Sequence, residues 1–143
     1  MKSPILPQRI PKSPRVGEKA AFTRTLTEGD VSMFIGATWD VNPYHTDNAF
    51  AEQTDFKKRI VPGLLTASLL THLGGLWAFL ATEMKFDFLA AVYIGDTITA
   101  EAKVVQADEQ RGWVHLDCRC LNQTGDIVLK ADVRGYPGQI QEE

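Results

Sequence analysis

The chain has 143 residues, a length that suits one domain with its own hydrophobic core and leaves no room for a second domain of ordinary size. Its formal net charge is −3 and its acidic and basic residues are interspersed, so the sequence offers no basic surface of the kind that binds nucleic acid. We therefore expect one functional site and no nucleic-acid partner.

The first sixteen residues, MKSPILPQRIPKSPRV, contain four of the seven prolines. They include no apolar run long enough to be the hydrophobic core of a signal peptide. We expect residues 1–16 to form an extended arm, residues 17–136 a single domain and residues 137–143 a C-terminal tail, in a cytoplasmic protein.

Short elements follow the arm. Residues 18–26 have a weak strand pattern, and Thr27 precedes Asp30 by three positions, which is the spacing of a capping box at the start of a helix. A helix is therefore predicted over residues 27–37. A second short helix is predicted near residues 47–53, and the loop between the two has the sequence WDVNPYHTD.

The twenty residues from Gly63 to Thr82 contain no Asp, Glu, Lys or Arg. This is the length of a membrane span. However, the segment includes several hydroxyl residues and the pair Gly74-Gly75, and amphipathic segments follow it. We interpret it as a helix buried within the protein that begins at Pro62, and we expect no membrane partner.

Behind this helix the pattern changes to alternation of apolar and polar residues, which predicts half-buried strands over residues 97–104, 113–121 and 126–134. The connections between them have hairpin length and carry glycine. A further strand is predicted within Lys85 to Ile94. Cys118 and Cys120 fall on the inward face of their strand, which suits buried thiols better than a disulfide or a metal site.

These elements predict an α+β architecture in which an antiparallel sheet of four or five strands curls around the apolar helix. Such a sheet leaves an edge strand and an apolar flank uncovered. We therefore expect self-association into a homodimer or a higher homo-oligomer.

The loop WDVNPYHTD places Asp40 five residues before His45, across the turn-forming pair Asn42-Pro43. One interpretation is structural: Asp40 accepts hydrogen bonds from nearby backbone N–H groups, and His45 is a polar residue that precedes a helix. The other is catalytic, because a carboxylate and an imidazole can hold one water between them and move its protons. Such a pair suits addition or elimination of water next to a carbonyl.

That reaction also requires a donor for the carbonyl oxygen, on which negative charge develops when a proton leaves the carbon α to a thioester. The helix that begins at Pro62-Gly63 offers free N–H groups, and Gly63 lets a substrate approach closely. A helix-start glycine without any such role is the alternative interpretation.

The segment Asp40-Val41-Asn42-Pro43-Tyr44-His45 resembles the MaoC-like dehydratase and R-specific enoyl-CoA hydratase family, whose hydratase motif runs Asp-x-Asn-Pro-x-His. The resemblance covers roughly Gly17 to Gly135. Its other matching positions are Asp47, Ala49-Phe50-Ala51, Phe56, Ile60-Val61, Gly63-Leu64-Leu65, Ser68-Leu69 and the strand entry Gly95-Asp96-Thr97-Ile98-Thr99-Ala100.

The resemblance implies a hotdog fold, dimerisation and a substrate that is an acyl thioester carried on coenzyme A or an acyl carrier protein. It implies reversible hydration of a trans-2-enoyl thioester to the R-3-hydroxyacyl thioester, with Asp40 and His45 as the catalytic pair and Gly63 N–H as the oxyanion donor. Asn42 would orient the turn. No metal or redox cofactor is implied.

Thr71 and the basic residues 57–59 are further candidates for contacts with the substrate, and each also has a simpler structural interpretation. Thr71 matches a serine hydroxyl near the site of some family members, but a helical threonine also bonds back to its own turn. Lys57, Lys58 and Arg59 can meet the phosphates of coenzyme A, although they also suit a solvated basic connection.

One departure from the family pattern keeps other functions open. Many members have His-Gly-Met where this chain has Pro62-Gly63-Leu64, so an imidazole is missing. A non-catalytic acyl-thioester-binding or assembly subunit is therefore the first alternative. A hotdog thioesterase is the second, but it would require a carboxylate or other base on the central helix, where His72 is the one titratable side chain and is expected to be buried.

Overall fold

The computed structural model describes residues 14–108, 110 and 112–138. Most of the predicted arm, residues 1–13, and most of the predicted tail, residues 139–143, lie outside the described residues. The elements in chain order are β1 (Lys19–Thr25), α1 (Glu28–Thr38), α2 (Pro43–Thr46), α3 (Asn48–Glu52), α4 (Gly63–Ser68), α5 (Leu70–Leu76), β2 (Leu80–Phe88), β3 (Thr97–Asp108), β4 (Trp113–Leu121) and β5 (Ile127–Tyr136).

The five strands form one antiparallel sheet with the order β1-β3-β4-β5-β2. Alternate residues of β3, β4 and β5 point to one face, where they join α4 and α5 in a single apolar core. The alternating pattern predicts inward positions at Ile98, Ala100, Ala102 and Val104 of β3, Val114, Leu116, Cys118 and Cys120 of β4, and Ile127, Leu129, Ala131 and Val133 of β5. All of them are buried, except that Ile127 is half-buried. The α+β architecture with a helix packed on a curled antiparallel sheet is therefore confirmed.

The apolar segment after Pro62 is shorter as a helix than predicted. It forms α4 and α5 with Leu69 between them, and the second helix ends at Leu76, whereas the prediction continued to Thr82. Gly74 and Gly75 weaken the last turn, and Ala78 then adopts a left-handed φ of 48° that turns the chain into β2. No helix of the described residues is long and apolar enough to cross a membrane.

The strand predicted within Lys85 to Ile94 also lies elsewhere. β2 begins five residues earlier, at Leu80, and ends at Phe88. It is an edge strand whose residues are all exposed except Phe86, so no face alternation marks it in the sequence. Between β2 and β3, Tyr93 forms an isolated antiparallel β-bridge with Ile60, which lies just before α4.

The two cysteines are free thiols in the core, as predicted. Burial raises the pKa of Cys120 to about 12. Burial also raises the pKa of Cys118 to about 12, with a smaller contribution from the nearby negative charge of Asp117. Both thiols are therefore neutral at physiological pH.

Candidate functional site

The residues before the predicted catalytic pair are held by α1. Thr27 and Asp30 form the predicted capping box, in which the Thr27 N–H donates to the Asp30 carboxylate and holds the pKa of Asp30 below its ordinary value. The helix ends at Thr38, and its C-cap residue Trp39 has a left-handed φ of 58° and donates its N–H to Ile35 O at 2.8 Å. This turn directs Asp40 away from the helix axis.

His45 lies on α2, a one-turn helix that the loop sequence builds itself. Asn42 caps this helix by accepting a hydrogen bond from Tyr44 N at 3.1 Å, and Pro43 occupies the first helical position. His45 Nδ1 lies 2.7 Å from Ile60 O. Because a carbonyl oxygen can only accept, Nδ1 carries a hydrogen, and in the neutral imidazole Nε2 is left as the acceptor.

The turn brings Asp40 and His45 together. Asp40 Oδ2 lies 3.7 Å from His45 Nε2, which is too long for a direct hydrogen bond and short enough for one water to contact both atoms. The Asp40 carboxylate accepts no backbone N–H within the described part of the chain, so the structural interpretation of this residue lacks its expected contacts. The imidazole is buried, whereas the carboxylate is 37% exposed.

A cavity of about 350 Å³ opens beside this pair. His45, Gly63 and Thr66 line it together with a mostly apolar wall made of Phe56, Ile60, Val61, Phe88, Leu89, Ala90, Ala91, Val92, Val128 and Leu129. Asp40 does not line the cavity, and its carboxylate is more exposed to solvent than the imidazole. An apolar cavity with a few polar groups at one end suits an acyl chain attached to a polar reacting group.

Gly63 is the first residue of α4, after Pro62 at the N-cap. Among the described residues, the backbone N–H groups of Gly63 and Leu64 have no acceptor. A Cβ atom at Gly63 would lie 2.8 Å from the Phe88 ring, so the absence of a side chain keeps this end of the cavity open. The bond from Val61 N to Val92 O, 2.7 Å long, fixes the chain just before it.

The structure does not bring Thr71 to this cavity. Thr71 donates to Ser68 O at 2.6 Å, the local bond expected of a helical threonine, and it lines a separate apolar cavity of about 200 Å³ between α5 and β2. His72 was predicted to be buried; it is exposed, and its ring stacks on Phe22 with centroids 3.9 Å apart. This prediction was wrong, because His72 packs on Phe22 of the edge strand β1 and remains exposed to solvent.

The basic residues line a third, neighbouring cavity of about 200 Å³. Lys57 and Lys58 are exposed, and Lys58 Nζ lies 5.0 Å from the centre of the Tyr93 ring. Arg59 is different, because both of its terminal nitrogens donate to the Glu28 carboxylate. Of the three predicted cations, two are therefore available to a ligand.

Sequence reasoning did not assign Thr66 or Phe88 to the cavity that contains His45. Phe88 falls within the strand predicted in Lys85 to Ile94, and Thr66 is one of the hydroxyl residues of the apolar segment. The one signal for Thr66 was its spacing, three residues after Gly63 on the same helical face.

Within the described residues, no group of three or more His, Cys, Asp or Glu could hold a metal ion.

Comparison with known proteins gives a consistent result. Residues 11–118 match the family model described as MaoC like domain. An (R)-specific enoyl-CoA hydratase of Aeromonas caviae is 31% identical over 125 residues, which cover 85% of this chain and 93% of that protein. A 3-hydroxybutyryl-CoA dehydratase of Methylorubrum extorquens is 33% identical over 119 residues, which cover 80% and 74% of the two chains.

The solved structure of the (R)-hydratase from Aeromonas caviae, involved in PHA biosynthesis, superimposes with a TM-score of 0.83. It has 30% sequence identity, and the match covers 89% of this chain and 99% of that one. The hotdog fold expected from the resemblance is confirmed by this similarity. With a family model that matches from residue 11 to residue 118, the chain belongs to the MaoC-like domain family.

Proposed function

We propose that this protein is an enoyl-CoA hydratase that interconverts trans-2-enoyl thioesters and R-3-hydroxyacyl thioesters. The observation that carries the proposal is the 3.7 Å approach of Asp40 Oδ2 to His45 Nε2, beside an apolar cavity that His45 lines. The two relatives described above are named for the hydration and dehydration directions of one such reaction, which supports it.

In this proposal Asp40 and His45 hold the attacking water between them. Hydration adds a hydroxyl group to C3 and a proton to C2, so the pair takes one proton from water and delivers one to carbon. The Nδ1–H bond to Ile60 O keeps Nε2 directed at the water. The two groups share that water, so we assign both proton transfers to the pair and not to one residue.

Gly63 supplies the donor for the thioester oxygen. As C2 and C3 react, negative charge develops on this oxygen, and a fixed N–H group stabilises it without reorganisation. The N–H of Gly63 has no acceptor within the described residues and lies at the positive end of α4. Asn42 acts indirectly, because its cap on α2 positions the imidazole.

Lys57 and Lys58 are proposed to contact the phosphates of coenzyme A. We expect the double variant Lys57→Ala/Lys58→Ala to raise KM for an enoyl-CoA several-fold with little change in kcat, because the lost attraction acts on binding alone. The effect should shrink as salt is raised from low to physiological strength. Lys130→Ala, at an exposed position on β5, is the matched control. An unchanged KM in the double variant would assign these lysines to a solvated connection.

The homodimer remains part of the proposal. β2 is an edge of the sheet, and its side chains Leu80, Met84 and Phe88 are exposed. A second copy paired along β2 would satisfy the free strand edge and cover these side chains.

The decisive experiment follows the loss of enoyl-thioester absorbance with crotonyl-CoA and a longer enoyl-CoA. Asp40→Asn and His45→Gln should each reduce kcat by at least about 10²-fold, since each removes one member of the proton-transfer pair. The matched controls are Asp55→Asn and His72→Gln, which make the same chemical changes at exposed positions.

Three results would contradict the proposal. Variants of the pair that remain as active as the controls would remove Asp40 and His45 from the mechanism. A folded parent that binds acyl-CoA without converting any chain length would instead be a non-catalytic binding or assembly subunit. Release of free coenzyme A thiol from a saturated acyl-CoA would indicate a thioesterase.

A further inference from the structure

The Thr66 hydroxyl has no hydrogen-bond partner. Thr66 is 2% exposed, and its Oγ1 is the one buried side-chain nitrogen or oxygen atom among the described residues that lacks a partner. A helical threonine ordinarily donates to the carbonyl three or four residues earlier, here Gly63 or Pro62. Pro62 O instead accepts from Leu65 N at 2.9 Å and from Thr66 N at 3.3 Å.

Leaving a hydroxyl buried and unpaired is unfavourable, and native proteins rarely do so without a reason. Thr66 lines the same cavity as His45 and Gly63. It lies three residues after Gly63, on the same face of α4, and side chains of a helix tilt toward its N-terminus. The unpaired hydroxyl and the free N–H of Gly63 therefore belong to one face of α4, on two residues that line the same mostly apolar cavity.

We infer that the Thr66 hydroxyl donates a hydrogen bond to the carbonyl oxygen of the thioester, as a second donor beside Gly63 N–H. This inference rests on the proposed hydratase function. An enoyl thioester brings one strong acceptor to this end of the cavity, its carbonyl oxygen, and the side chains of the apolar wall carry none. Because charge builds up on that oxygen during the reaction, the bond strengthens toward the transition state.

The inference predicts opposite effects on stability and activity. Thr66→Val keeps the shape of the side chain and removes the hydroxyl. Without ligand, this variant should melt at a higher temperature than the parent, because an unpaired buried polar group is replaced by a methyl group. Its kcat for enoyl-CoA hydration should nevertheless fall by about 10²-fold, the usual loss for one oxyanion donor. Thr66→Ser retains the hydroxyl and should keep kcat within a few-fold of the parent.

A spectroscopic readout separates this role from a structural one. Butyryl-CoA labelled with ¹³C at its carbonyl lacks the reactive double bond, so it can be observed while bound. We expect the carbonyl stretching band of the bound thioester to lie at lower frequency in the parent and in Thr66→Ser than in Thr66→Val, because a donated hydrogen bond weakens the C=O bond. Affinity for butyryl-CoA should change much less than kcat.

The outcomes distinguish the two proposals. An active parent with a Thr66→Val variant of equal kcat and unchanged carbonyl frequency would overturn the inference and leave the hydratase function intact. A parent that hydrates no enoyl-CoA would overturn the proposed function. In that case a carbonyl band that shifts on Thr66→Val would still support the hydrogen bond, and one that does not shift would overturn it.

Discussion

Arg59 connects three elements around the Asp40–His45 turn. Its guanidinium donates to the Glu28 carboxylate at 2.9 and 2.6 Å, to Asn48 Oδ1 at 2.8 Å and to His45 O at 3.2 Å. The hydrogen bonds from Arg59 hold the pKa of Glu28 below its ordinary value, and Glu28 in turn raises that of Arg59. A residue predicted to bind phosphate therefore fixes the backbone of His45.

This ion pair makes stability depend on pH. The pKa of Glu28 in the folded protein is below its ordinary 4.5, so the pair contributes stability above that pH and loses it as the pH falls through the lower folded value. Glu28→Gln should therefore be less stable than the parent at pH 7, by no more than about 1 kcal/mol because the carboxylate is largely exposed.

Urea unfolding at pH 7, 5, 4 and 3 measures this difference. It should persist down to pH 5 and shrink below pH 4.5 as Glu28 takes up a proton in both states. Glu52→Gln, another exposed glutamate, is the control and should show little difference at any pH. A constant deficit from pH 7 to pH 3 would show that the charge of Glu28 is not its cause.

At the scale of single residues, sequence reasoning identified the groups that come together in the turn but could not identify their contacts. Asp40 and His45 are adjacent because Asn42 and Pro43 form a turn between them. Turn-forming residues of this kind can be recognised from the sequence alone. Whether Arg59 faces a ligand or Glu28, thirty-one residues away, depends on tertiary packing. The missing partner of Thr66 is likewise visible only once burial is known.

At the scale of elements, the alternating strands were predictable and the unpatterned ones were not. β4 spans Trp113–Leu121 as predicted, because one face meets the core and the other meets solvent. β2 follows α5 with no charged residue between Gly63 and Thr82, so composition does not mark the change from helix to strand. That change depends on the left-handed conformation of Ala78.

The cap of α1 can be tested directly. Thr27→Ala removes the hydroxyl that accepts from Asp30 N at 3.2 Å and should lower the free energy of unfolding by about 1 kcal/mol. Ser32→Ala, at an exposed position within the same helix, is the control and should change stability by no more than about 0.5 kcal/mol. Urea denaturation measures both. Equal stability of the two variants would mean that the box does not stabilise the helix.

At the scale of the whole molecule, the proposed dimer predicts a specific sensitivity of β2. Sedimentation should give a mass of twice 15.9 kDa for the parent. Met84→Asp places a charge on the exposed face of the edge strand and should shift the protein toward monomer. Val105→Asp introduces the same charge at an exposed position of β3, away from that edge, and should leave the mass unchanged. A monomeric parent at every concentration would contradict the proposal.

The two buried thiols can be used to measure how often the folded core opens. The sequence has no cysteine besides Cys118 and Cys120, and both lie on the inner face of β4 with a pKa near 12. A thiol-modifying reagent needs an accessible thiolate, so the native chain resists it until the sheet separates from the helices. The rate of labelling thus reports how often the core is exposed, without any engineered probe.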